Sequence, residues 1–103
     1  MDVETLQREV ESVSALYAER FGIDRTDDWL ILKLNEEVGE LTRAYLARAG
    51  QARDRGRSTG EIEDDFRSEI ADAFAHILLI AERFDVDIPA VIQRKWLAWN
   101  STR

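Results

Sequence analysis

The sequence predicts an all-α fold, a four-helix chain whose core is completed by oligomerisation, and three observations predict it. Proline occurs once and glycine five times in 103 residues. Apolar residues recur at helical rather than alternating spacing. The stretch Ala73 to Ala81 is apolar nearly all round, interrupted only by His76. A chain this short cannot cover such a helix by itself, so a partner subunit is expected against Leu79 and its neighbours.

A first helix is expected from about Asp2 to Arg20, with Leu6, Val10, Val13 and Tyr17 on one stripe and a stop near Gly22. A second follows the cap candidate Thr26, runs from about Asp27 to Ala49, and carries Leu30, Leu34, Val38, Leu41 and Tyr45 as its core face. Residues 50 to 60 hold three glycines and no large apolar residue, which makes them the long loop. Ser58 and Glu61 have capping-box spacing for a third helix, with Ile62, Phe66, Ile70, Phe74, Ile77, Ala81 and Phe84 as its apolar positions. Asp87 caps a short fourth helix in whose first turn Pro89 costs no hydrogen bond.

The length fits a single domain spanning 1–103. Zero cysteines exclude a disulfide scaffold, a thiolate zinc site and a cysteine nucleophile, so metal chemistry must run on oxygen. No apolar run is long enough to span a membrane and no signal-peptide pattern opens the chain, so a cytoplasmic protein without a membrane partner is expected. A net charge of −7 speaks against nucleic acid as a partner. Two acidic stretches, 1–49 and 61–87, are separated and followed by short basic ones.

The acidic stretches hold two i,i+3 carboxylate pairs, Glu37 with Glu40 and Glu69 with Asp72, each bordering an apolar stripe. Like charges at that spacing repel, and a neighbouring apolar surface adds desolvation. Something positive should offset them. Four carboxylates from two antiparallel helices make an all-oxygen site of the kind Mg²⁺ or Mn²⁺ prefers, with positions left for water and phosphate. Trp29 and Lys33 fall on the Glu37 side of the second helix, as an aromatic wall for a base and a phosphate-binding ammonium, or as packing and an ion pair with Glu37. His76 lies one turn past Asp72, either an interior hydrogen-bonding residue or a ligand contact. Lys95, Asn100 and Arg103 supply donors from the fourth helix.

The series Leu34-Asn-Glu-Glu-Val-Gly-Glu-Leu41, followed after 28 residues by Glu69-Ile-Ala-Asp72, resembles the MazG-like all-alpha nucleoside triphosphate pyrophosphohydrolases, over about Trp29 to Asn100. The resemblance implies a MazG-like helical bundle assembled as a homodimer or homotetramer. It implies Mg²⁺-dependent hydrolysis of a (d)NTP substrate to (d)NMP and pyrophosphate, with nucleotide-pool house-cleaning as one role. On this pattern Glu37, Glu40, Glu69 and Asp72 match the metal-binding acids. Glu36 matches the first glutamate of the motif, for water activation or support of the ligands. Lys95 and Asn100 match the late phosphate-contacting residues, and His76 stands where an aromatic residue often faces the base. Trp99 departs from a stretch that is often basic.

Carboxylate-bound Mg²⁺ would neutralise a triphosphate and hold a water against phosphorus, and the chain has no P-loop glycine pattern to do so instead. The basic loop Arg53 to Arg57 is placed either to close over the phosphates or to serve as a solvated linker. The alternative is a non-catalytic helical partner-binding or regulatory module derived from such an enzyme, although a retired site has no evident reason to keep repelling carboxylates. A di-iron carboxylate bundle wants Glu-x-x-His, and this chain offers Glu-x-x-Asp.

Overall fold

The computed structural model describes residues 1–102; Arg103, one of the late donors named above, lies outside the described residues. The elements are α1 (Val3–Phe21), α2 (Asp27–Arg48), α3 (Thr59–Arg83), α4 (Ile88–Lys95) and a 3-10 helix, η1 (Leu97–Thr102), and no strand occurs among the described residues. Among them no helix is long and apolar enough to cross a membrane. Asn100, expected on the fourth helix, belongs to η1 instead, because α4 stops at Lys95.

The starts are set by side chains that take up orphan amide protons. Asp2 accepts from the Thr5 amide at 2.7 Å, Thr26 from Trp29 at 3.1 Å, and Asp87 from Ala90 at 3.0 Å. Both halves of the capping box form, Ser58 N–H donating to Glu61 at 2.9 Å and Glu61 N–H to Ser58 Oγ at 3.1 Å. The first helix ends at Gly22, whose φ of 66° turns the chain so that Ile23 N–H reaches the Ala18 carbonyl. The third ends the same way without glycine: Asp85 takes φ 55° and Val86 N–H reaches Ala81.

The chain forms two compact units, residues 25–77 and residues 1–24 with 78 onward. In the first, α2 packs antiparallel against the first part of α3. Arg48 meets Glu63 at 2.6 Å, Tyr45 and Phe66 rings lie 6.1 Å apart, and Glu37 approaches Glu69 and Asp72, so positions fall on α2 as they rise on α3. Its seam follows the expected stripes only in part: Leu30, Leu34 and Leu41 on α2 and Ile62 and Phe66 on α3 are inward as expected. Val38 and Tyr45 are 46% and 50% exposed, Ile70, Phe74 and Ile77 are also exposed, and the inward path on α2 is Leu30, Leu34, Glu37, Leu41, Ala44. On α3 it is Ile62, Phe66, Glu69, Ala73, His76. Each path alternates steps of four and three residues, the repeat of a narrow helix–helix contact. An apolar-only reading misses it because a glutamate occupies one position on each helix.

In the second unit, α1 turns Leu6, Val10, Ser14 and buried Ala18 inward, while Val13 and Tyr17 are exposed at 69% and 57%. The expected stripe parts from the real one after Val10, where a polar and then a small residue continue the inward face. Leu78 and Leu79 are fully or nearly covered within a single copy of the chain, so Leu79 is not the surface left for a partner. Phe84, expected among the inward positions of α3, is exposed as well.

Candidate metal centre

Glu37 and Glu69 face each other because each takes a seam position between apolar layers, Leu34 and Leu41 on one side, Phe66 and Ala73 on the other. Asp72 lies one turn beyond Glu69. One carboxylate oxygen from each of Glu37, Glu69 and Asp72 lies within 4.8 Å of the other two; the glutamates are half-buried and the aspartate is exposed. Three like charges gathered at that distance oppose one another. The consequence shows at Glu69, whose carboxyl is pushed above its ordinary range by burial first, then by Asp72, Glu37 and Asp65, with Arg43 working the other way.

Glu69 Oε2 is shielded from solvent and has no hydrogen-bond partner among the described residues. A shielded carboxylate oxygen with nothing to accept from is costly, and it suits a position that a cation completes. The donor set is oxygen only, the preference of Mg²⁺ and Mn²⁺. These residues fit a hard divalent cation.

The structure brings together three of the four expected ligands. Glu40 stands outside the trio, its carboxylate paired with Arg43 one turn further along α2. Lys33 donates to Glu36 at 3.3 Å and not to Glu37, and the same ammonium lies 5.8 Å from the Trp29 ring centroid, so Trp29, Lys33 and Glu36 form one string along α2. Spacing alone allowed either glutamate. His76 is half-buried, and its Nδ1 donates to the Asp72 carbonyl at 2.8 Å, which leaves Nε2 for another partner. Lys95 and Asn100 are exposed and belong to the unit that does not contain the trio.

Sequence reasoning left out Arg43 and Asp65. Both influence the Glu69 carboxyl, and the signals for them are their spacings, i,i+3 from Glu40 and i,i+4 before Glu69. Comparison of the chain with protein-family models, with curated proteins and with solved structures finds no match.

Proposed function

We propose that the chain is a Mg²⁺-dependent nucleoside triphosphate pyrophosphohydrolase of the MazG-like kind, with Mn²⁺ as a substitute, cleaving the α–β anhydride of a (d)NTP to give (d)NMP and pyrophosphate. The observation that carries the reading is the meeting of Glu37, Glu69 and Asp72, with a shielded Glu69 oxygen that no group among the described residues satisfies. A divalent cation bound there supplies neutralisation of phosphate charge and acidification of water. Glu37, Glu69 and Asp72 are its holders, and Glu40 is the fourth donor once its carboxylate leaves Arg43.

Glu36, exposed and next to Glu37, accepts a proton from the attacking water. Lys33 exchanges its Glu36 contact for a phosphate oxygen, which both charges the phosphate site and frees the base. Trp29 offers a ring face for stacking, and His76 Nε2 one hydrogen bond to a base edge. Lys95 and Asn100 enter by resemblance alone, as phosphate contacts.

A homodimer or homotetramer goes with this reading, supported by the exposed stripes Ile31, Val38, Tyr45 on α2 and Ile70, Phe74, Ile77 on α3. A screen of nucleoside triphosphates with Mg²⁺, reading monophosphate and pyrophosphate, tests the activity. Inorganic phosphate and diphosphate as the first products would contradict it.

A further inference from the structure

Arg43, Arg53, Arg55 and Arg57 line a cavity of about 650 Å³ with Ala44, Ala47, Ala52 and Asp65, all within residues 25–77. Four guanidiniums face one carboxylate there, in a chain whose net charge is −7. Two of them are already engaged: Arg57 meets Asp65 at 2.8 Å and Arg43 pairs with Glu40. Arg53 and Arg55 have no carboxylate partner among the described residues, although acids outnumber bases 21 to 14.

The loop is built to hold them in this way. Asp54 accepts from Gly56 N–H at 2.9 Å, and its carbonyl accepts Arg57 N–H at 3.1 Å and Arg57 Nε at 3.2 Å. The turn puts Arg55 at φ 55° and Gly56 at φ 78°. An arginine in left-handed backbone, where glycine or asparagine is easier, is held there by the turn that Asp54 closes.

We propose that this arginine cavity binds a diphosphate group. A guanidinium presents a planar fork that matches two phosphate oxygens, and a compact anion with several charges offsets several guanidiniums at once. A single carboxylate offsets one. A phosphate polymer brings its charge against the acidic remainder of the surface and is disfavoured. Two residues of the cavity wall act on the trio: Asp65 lies one helical turn before Glu69, and both Asp65 and Arg43 influence the Glu69 carboxyl. The inference rests on the arginines and the cavity and adds to the hydrolase reading the place where the two outer phosphates sit. The same chemistry is offered by free pyrophosphate and by the β,γ-phosphates of a nucleotide.

Calorimetric titration of the full chain in chelator, with inorganic pyrophosphate in one arm and an α,β-methylene nucleoside triphosphate in the other, separates the sources. Neither probe requires turnover or metal, so the result is independent of whether the chain hydrolyses anything. Binding of either probe that weakens about tenfold in Arg53→Ala or Arg55→Ala and about a hundredfold in the double variant supports the site. The Lys variants at both positions, which keep the charge and lose the fork, should recover part of the affinity. A response confined to pyrophosphate assigns the cavity to the free anion, and one confined to the analogue assigns it to nucleotide phosphates. Absence of millimolar binding by both probes, or affinity unchanged in the double alanine variant, would overturn the proposal.

Discussion

At Glu69 a carboxylate gives up hydration between Phe66 and Ala73, and nothing among the described residues returns a hydrogen bond to its Oε2. Replacing it with glutamine removes a charge that Glu37 and Asp72 oppose. Glu69→Gln should therefore melt at or above the wild-type temperature in chelator. The order reverses with Mg²⁺. A cation held by the trio stabilises the wild type by about 2.7 kcal/mol at a hundredfold excess over Kd, and Glu69→Gln should lose most of that gain. Thermal melts with and without Mg²⁺ check both halves, and equal Mg²⁺ gains in the two proteins would remove Glu69 from the site. The i,i+3 spacing of Glu69 and Asp72 is legible in the sequence and places both on one side of α3, but the same spacing does not bring Glu40 in beside Glu37. The partner of Lys33 is not legible, since Glu36 and Glu37 both lie within its reach, and neither is the guanidinium cluster, which a turn at Arg55 and Gly56 brings together with Arg43 from another element.

Helix starts are more legible than helix faces. Asp2, Thr26, Ser58 and Asp87 act as caps because a short side chain with an oxygen settles an end locally. Faces depend on what packs opposite, so the inward path that runs through Glu37 and Glu69 is hidden from an apolar count. The caps have a pH signature. Hydrogen bonds from Thr5 and from Ser58 hold the Asp2 and Glu61 carboxyls below their ordinary range. A lowered folded value means that the stability is complete above the unfolded pKa and is lost as pH falls through the folded one. Helical circular dichroism should thus weaken on acidification through the carboxylate range, and Glu61→Gln, which keeps a capping-box acceptor without a titrating charge, should flatten that response. Gly39 offers a second test at this scale. It lies inside α2, where a Cβ would meet nothing within 4 Å, so Gly39→Ala should raise stability by about 0.4–1 kcal/mol in denaturant melts. A fall would mean that something outside this copy approaches that backbone.

Across the whole molecule, the large side chains that are fully covered are few. Leu30, Leu78 and Leu79 are the large ones among the described residues, and the rest of the buried set is alanine. Against that, Ile31, Val38 and Tyr45 on α2 and Ile70, Phe74 and Ile77 on α3 are 41–50% exposed. An unshielded apolar surface of this kind is what assembly with a second copy removes from water. Sedimentation of Phe74→Glu should show a shift toward the 11.9 kDa monomer, while a wild type that is already monomeric at micromolar concentration would dispose of the assembly. The apolar richness of α3 raises the expectation of assembly, but the surface that the sequence names for it, around Leu79, is covered by its own chain.

The central claim is that Glu37, Glu69 and Asp72 act as one cation site serving triphosphate cleavage, and pyrophosphate release measured in Mg²⁺ and in chelator tests it most directly. The wild type should release pyrophosphate and monophosphate from at least one nucleoside triphosphate only with Mg²⁺ or Mn²⁺, and Glu37→Ala, Glu69→Ala and Asp72→Ala should each lower the rate by at least a hundredfold, on the order of 2.7 kcal/mol in the barrier. Release that persists in chelator, or full activity in any two of the three variants, would contradict it.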